Sequence, residues 1–128
     1  MHKRHNPDSV VKAFGNGYSQ ALEVDAHKRW LYTAGQIGAD INGNVSDTFE
    51  EQVAQTWANI ISLLNEGNMD VDDIVKINGF VVGEENFPAY AAARKMALGD
   101  AKPASTAIIV PALAMPNWLV EIEAIAAR

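Results

Sequence analysis

The chain has 128 residues, of which 48% are hydrophobic and 20% are charged, and its net charge is −6. This length and composition predict one globular domain over residues 1–128. The acidic balance excludes a general binder of nucleic-acid backbone, because such proteins cluster Lys and Arg. The lack of cysteine excludes disulfides, zinc–thiolate sites and thiol nucleophiles. With no apolar leader and no apolar run near the ~20 residues that span a bilayer, we expect a cytoplasmic protein without membrane contact.

The first part of the chain predicts two strands followed by a bend. Residues 18–24 and 30–34 have strand character and are joined by a charged connection, so we expect them to pair as a hairpin. The segment 35–38, Gly-Gln-Ile-Gly, predicts a bend where the backbone closely approaches another group, such as a ligand. The basic residues 1–5 are expected to be a frayed end.

Two helices are predicted further along the chain. Asp47, with Glu50 three residues later, is typical of a capping box at a helix start. Apolar residues then recur at helical spacing as far as Leu64, and we expect no polar residue to interrupt this stripe. A second helix is predicted over residues 87–98, with Pro88 in its first turn.

Strands are predicted over residues 74–82, 105–110 and 119–126, while 69–73 is expected to be a solvated turn. The order is therefore ββαβαββ. Because helical crossovers normally join parallel neighbouring strands, we expect a mixed sheet with both helices on one face. The other face would then be apolar and uncovered, which predicts burial against further copies of the chain.

The last predicted strand has two chemically different faces. Its residues at 120, 122, 124 and 126 are all apolar, whereas the opposite face carries Glu121 and Glu123 between Leu119 and Ile125. A carboxylate held there away from water would need a partner and could serve chemistry. A solvated edge strand is the simpler interpretation for either glutamate alone.

Several segments, in order and at family spacing, resemble the RidA/YjgF family. These segments are Tyr18-Ser-Gln, Leu31-Tyr-Thr-Ala-Gly-Gln-Ile-Gly38, the 52–64 helix, Asp73-Ile-Val-Lys76, Lys102-Pro-Ala104 and residues 119–126. The resemblance covers nearly the whole chain. It implies an α+β, chorismate-mutase-like fold that assembles as a homotrimer with ligand clefts between subunits.

The resemblance also implies a reaction. Well-characterised members hydrolyse 2-imino and enamine acids without a cofactor, using a glutamate that positions water, a tyrosine and a glycine that line the cleft, and an arginine that holds the substrate carboxylate. Glu121 matches the glutamate, Tyr18 the tyrosine and Gly35 the glycine. Ser105 stands in place of the arginine, and a hydroxyl cannot make the paired, charge-assisted hydrogen bonds of a guanidinium.

Other positions of the implied cleft also differ from the family pattern. Ala107 stands where cysteine is common, and Ala91 where asparagine is common. Trp118 either walls the cleft or packs beneath a loop. Arg94 and Lys102 are the cations near enough in sequence to restore an anion site, although a surface charge is the simpler interpretation of each.

Three functions follow from these observations. The first is hydrolysis of a small imine or enamine, with Glu121 as the catalytic residue and Tyr18, Gly35, Ser105, Ala107 and Trp118 as binding residues. The second is a binding trimer that holds a metabolite without chemistry. A ribonuclease is least favoured, because the three histidines lie outside any recognised motif and the charge opposes RNA. We expect no cofactor, metal, nucleic-acid or membrane partner.

Overall fold

Seven strands and two α-helices are found in residues 2–26 and 28–128, the part of the chain that the computed structural model describes. In chain order they are β1 (Lys3–His5), β2 (Ala21–Glu23), β3 (Trp30–Tyr32), β4 (Gln36–Ile37), α1 (Phe49–Glu66), β5 (Ile74–Val82), α2 (Phe87–Leu98), β6 (Ala104–Val110) and β7 (Val120–Ala127). From α1 onward, the predicted elements are confirmed.

The main sheet has the strand order β3-β7-β5-β6, and β4 also pairs with β7. Strand β5 runs parallel to β6 and antiparallel to β7, which confirms the predicted mixed sheet. The α2 crossover joins parallel neighbours, as predicted. The expectation was wrong for α1, because β7 lies between β4 and β5.

The predicted hairpin between the first two strands is also wrong. Strand β2 pairs with β1, and β3 pairs with β7. Strand β7 offers β3 a long, well-buried partner, whereas β1 and β2 form a separate two-stranded sheet. Residues Lys3–His5, which were expected to be frayed, pair with β2, and His5 Nε2 lies 2.7 Å from Glu23 Oε2. This hydrogen bond and the nearby Lys3 charge lower the pKa of Glu23.

Helix α1 departs from prediction at its start and along its buried face. Its N-cap is Thr48, not Asp47, because the Thr48 hydroxyl accepts the Glu51 backbone N–H at 3.3 Å. The buried stripe is not purely apolar, since Gln52 and Thr56 lie within it. Thr56 donates to the Gln52 carbonyl at 2.9 Å, which satisfies its buried hydroxyl.

Segment 69–73 is more ordered than a solvated turn. Met69 is buried in the core, and Val71–Asp73 form a single helical turn. Asp70 accepts from the backbone N–H of Asp72 at 2.9 Å, and Asp73 Oδ2 accepts from the Asp70 N–H at 2.9 Å. The carboxylates therefore accept hydrogen bonds from the backbone of their own turn. These bonds replace hydrogen bonds that the same oxygens would make to water.

The two faces of β7 differ as predicted. The face toward the helices is buried at Val120, Ile122, Ala124 and Ala126. We call the opposite side of the sheet the open face: its members include Phe80, Glu121, Ile108 and Tyr32, and the last two are 47% and 69% exposed. The open face also carries Asn78 and Glu123, and its exposed apolar side chains make it a candidate protein interface.

Candidate functional site

Ser105 does not stand alone on its strand. Its register partner on β5 is Ile77, which is fully buried, so Ser105 points to the side of the sheet that carries the helices. There Arg94 of α2 donates from Nη1 to the Ser105 hydroxyl at 3.2 Å. The structure thus places a guanidinium beside the serine that replaces the expected arginine.

The guanidinium of Arg94 also packs over an aromatic ring. Its guanidinium carbon lies 5.8 Å from the centre of the Tyr90 ring, within the range of a cation–π interaction. Tyr90 is fully buried, and its hydroxyl lies against Gly79, where a Cβ would collide with it. Burial raises the pKa of Tyr90. The interpretation of Arg94 as a surface charge is therefore wrong: it is half-buried and fixed by two contacts.

The Tyr90 hydroxyl has no hydrogen-bond partner among the described residues. Burying an unpaired hydroxyl costs free energy, so Tyr90→Phe is expected to leave the melting temperature unchanged or to raise it by a few degrees. Differential scanning calorimetry measures this. A fall of more than about 5 °C, roughly 1 kcal/mol for a domain of this size, would mean that the hydroxyl is paired.

A cavity of about 440 Å³ borders Arg94 between α2, residues 14–17 and residues 99–102. Residues 14–17 form one wall, and Ala91 lies in another. The charged residues around it are Arg94, Lys95, Lys102 and Asp100. Three cations against one carboxylate make this a positive cavity in a chain whose net charge is −6.

Tyr18 lies beside the beginning of β6. The next residue, Ser19, donates its backbone N–H to the Pro103 carbonyl at 3.1 Å and bridges to Ala104. The Tyr18 hydroxyl accepts the Phe14 backbone N–H at 3.4 Å. Tyr18 also lines a cavity of about 430 Å³ formed by residues 6–20. The structure therefore brings the tyrosine segment to the same sheet edge as Ser105.

Glu121 lies on the open face, where its register partners are Phe80 on β5 and Ile37 on β4. Its carboxylate covers the backbone of Gly35, and a Cβ on that glycine would come within 2.9 Å of the carboxyl carbon. No described residue donates a side-chain or backbone hydrogen bond to this carboxylate. Its acceptor sites are therefore free of protein donors among the described residues.

The predicted close approach of segment 35–38 thus has two separate causes. At Gly35 the neighbour is the Glu121 carboxylate. At Gly38 it is α1 itself, because a Cβ there would lie 2.6 Å from the Gln52 Cα and carbonyl oxygen. Only the first glycine belongs to a candidate site, and the second is a packing requirement.

Sequence reasoning missed two amides that hold the backbone near Glu121. Gln52 donates to the carbonyls of Ser46 and Asn117 at 2.8 and 2.9 Å and accepts from the Leu119 N–H at 2.9 Å. Asn59 donates to the carbonyls on both sides of Gly38, at 3.1 and 2.9 Å. The available signal was a polar residue at a core-facing helical position.

The remaining predicted cleft residues lie apart from Glu121. Ala107 is on the same side of the sheet as Ser105 and packs against the core next to Gly79. Trp118 is half-buried in the turn before β7 and lines neither cavity described above. Packing near a loop is the alternative that this placement favours for Trp118.

The candidate residues form two groups on opposite faces of one sheet. Ser105 shares the face of Ile77, whereas Glu121 shares the face of Phe80, because neighbours across the ladder point the same way. Arg94 belongs to the first group and Gly35 to the second. One protomer alone therefore does not bring the cation and the Glu121 carboxylate together.

Within residues 2–26 and 28–128, no three acidic or histidine side chains converge as metal ligands. No helix of those residues is long and apolar enough to span a bilayer.

Comparisons with known proteins agree with this architecture. A family model described as endoribonuclease L-PSP matches residues 10–128. Mitochondrial protein MMF1 of Saccharomyces cerevisiae is 31% identical over 110 residues, which is 85% of this chain and 73% of that protein. The 2-iminobutanoate/2-iminopropanoate deaminase of Dermatophagoides farinae is 30% identical over 110 residues, which is 84% of this chain and 83% of that protein. A solved structure of YyfB, a Rid-family protein of unknown function from Yersinia pestis, matches with a TM-score of 0.89 at 30% identity, covering 99% of this chain and 98% of that one.

A mixed sheet with two helices packed on one face is the fold of the Rid proteins. The chain belongs to the endoribonuclease L-PSP family, which is the RidA/YjgF family that its sequence resembles. The predicted α+β fold class is confirmed with the family, while the homotrimer stays a prediction. Cytoplasmic location stays a prediction, because a relative such as MMF1 is mitochondrial.

Proposed function

We propose that the protein is a cofactor-independent hydrolase of small imines or enamines, which works in clefts between the protomers of a homotrimer. The observation that carries this proposal is the Glu121 carboxylate, fixed over Gly35 without a hydrogen-bond partner among the described residues. A carboxylate in this condition is suited to accept a proton from water.

Imine hydrolysis can be written with the Glu121 carboxylate as the catalytic group. Glu121 takes a proton from water as the water oxygen bonds to the imine carbon, and the carboxylic acid so formed gives that proton to the imine nitrogen, which leaves a carbinolamine. Glu121 then takes the hydroxyl proton as the C=O bond forms and the C–N bond breaks, and it passes this proton to the departing nitrogen, so that an imine and water become a ketone and ammonia. An enamine enters the same route after tautomerising to its imine. No metal or redox step is required by this balance.

The placement of the site residues supports a cleft shared between protomers. Arg94 and Ser105 lie on the helix side of the sheet, and Glu121 lies on the open face. If the open face of one protomer packs near the edge strand β6 of the next, the two groups come together. The exposed apolar residues of the open face, such as Ile108 and Tyr32, provide a reason for such packing.

The relative from Dermatophagoides farinae supports the reaction class, since it bears the name 2-iminobutanoate/2-iminopropanoate deaminase. It is 30% identical to this chain, and other relatives carry names without a reaction. The reaction class is therefore inferred from the site together with this relative, and this inference names no particular substrate.

A second candidate function is favoured by Ser105. In this function, a trimer that lacks the expected arginine keeps the cleft for binding and has lost the reaction. Generating 2-iminopropanoate and 2-iminobutanoate in situ and following ammonia release with and without the protein separates the two functions. Acceleration supports the hydrolase. Calorimetric binding of the corresponding 2-oxo acids with no acceleration of imine decay would replace the hydrolase with the binding trimer.

Gly35→Ala tests whether the position of the Glu121 carboxylate matters. The new Cβ must displace the carboxylate, which is the movable end of a side chain, so we expect at least a tenfold loss of kcat/KM with little change in melting temperature. Ala34→Ser, an exposed change one residue away, is the matched control and should keep full activity. Full activity in Gly35→Ala would show that the observed carboxylate position is not the working one.

A further inference from the structure

We propose that Arg94, supplied by helix α2, is the residue that binds the anionic group of the ligand, with Ser105 as its partner. This inference rests on the proposed cleft and makes it more specific. In this proposal a residue of helix α2 binds the ligand carboxylate, whereas the family position for that role on β6 is occupied by a serine. The ligand class is a small molecule with a carboxylate.

The first argument is that Arg94 lacks an acidic partner. The chain has 16 acidic residues against 10 Lys and Arg, yet no described carboxylate forms an ion pair with this guanidinium. A half-buried cation ordinarily pairs with an anion, since burial without one costs free energy. Here its neighbours are a hydroxyl and an aromatic ring, which fix its position without neutralising its charge.

The second argument is donor geometry. A guanidinium has five N–H donors, and Ser105 accepts only one of them at Nη1. Ser105 does not line the cavity beside Arg94, so its role is to hold the guanidinium in place. The remaining N–H groups of Arg94 can bind both oxygens of one carboxylate through charge-assisted hydrogen bonds.

The third argument is the space beside the guanidinium. The cavity of about 440 Å³ next to Arg94 is large enough for a small metabolite. Lys95 and Lys102 add positive potential at its edge, and Ala91 and Phe14 give it apolar walls. A carboxylate at Arg94 with an apolar remainder in the cavity matches this lining.

Calorimetric titration of the purified protein with 2-oxobutanoate tests the assignment without requiring turnover. We expect Arg94→Gln to weaken binding roughly 10- to 100-fold, the range for losing a hydrogen bond to a charged group. Arg29→Gln is the matched control, because it removes one arginine charge at the β3 edge of the sheet, and its affinity should match wild type. Butanone, which lacks the carboxylate, should show no difference between wild type and Arg94→Gln.

A second variant separates anion binding from a structural role of Arg94. The double variant Arg94→Gln, Ser105→Arg moves the cation to β6 and should recover at least part of the lost affinity. Equal affinity of wild type and Arg94→Gln overturns the proposal, as does a failure of wild type to bind 2-oxobutanoate and larger 2-oxo acids at millimolar concentration.

These outcomes are distinct from failure of the proposed function. Imine hydrolysis that persists unchanged in Arg94→Gln keeps the hydrolase and rejects Arg94 as its anion-binding residue. Binding of 2-oxobutanoate that depends on Arg94, without any hydrolysis by wild type, keeps the anion site and rejects the hydrolase.

Discussion

Replacing Glu121 with glutamine is expected to lower kcat for imine hydrolysis by roughly two to four orders of magnitude, the range for losing a general base. Glutamine keeps the size and shape of the side chain beside Gly35 but cannot take a proton from water at neutral pH. The KM should change less than kcat, because the proposed anion-binding residue, Arg94, is unchanged in this variant. Initial rates with imine generated in situ measure both quantities.

Glu123→Gln provides a matched control for this change. Glu123 lies on the same face of β7 and carries the same charge, but its carboxylate already accepts a hydrogen bond from Asn78 at 3.1 Å. Glutamine can still accept that bond, so the variant should keep activity within a few-fold of wild type. Equal losses in both variants would mean that charge on the open face, and not a proton acceptor at Glu121, supports the reaction.

Elements whose pattern is local were predicted well from the sequence. Helix α1, strand β5 and strand β7 each bury a continuous face, and their periodicity shows that face directly. The pairing of the three-residue strands β1, β2 and β3 was not predictable in the same way. Each makes few hydrogen bonds, so its partner depends on what the assembled core leaves available: β3 pairs with β7, and β2 pairs with β1.

The candidate site was likewise predictable only in part. The proximity of Gly35 and Glu121 was indicated by the resemblance, because both match family positions, and the structure places them in contact. The contact between Arg94 and Ser105 joins a helix to a strand across 11 positions, and no motif marks it. Its detection required the packing of α2 on the sheet, where the buried ring of Tyr90 fixes the guanidinium.

Register also showed that Ser105 and Glu121 face opposite ways, which a list of family positions does not reveal. The alternation of side chains along β5 decides this, since Ile77 pairs with one residue and Phe80 with the other. A working site that contains both groups must therefore draw them from different protomers. This requirement leads to a test of assembly and of chemistry in one experiment.

Co-expression of Glu121→Gln and Arg94→Gln protomers is expected to give a kcat/KM above that of either variant alone. If each cleft takes Glu121 from one protomer and Arg94 from its neighbour, random assembly gives about a quarter of the clefts both wild-type groups. Two affinity tags used in sequence isolate the mixed oligomers, and light scattering reports whether they are trimers. Their kcat/KM per cleft, measured with imine below its KM, should exceed that of either parent.

Complementation distinguishes the shared cleft from every arrangement within one protomer. A site contained in a single chain would carry one defect in each protomer, so mixing would restore nothing. The same outcome would follow if the two groups never cooperate, but in that case Arg94→Gln alone would keep the wild-type kcat/KM. A higher kcat/KM in mixed trimers than in either parent requires that the open face of one protomer meets the Arg94 side of the next. The exposed apolar residues of the open face and the division of the site both favour this contact.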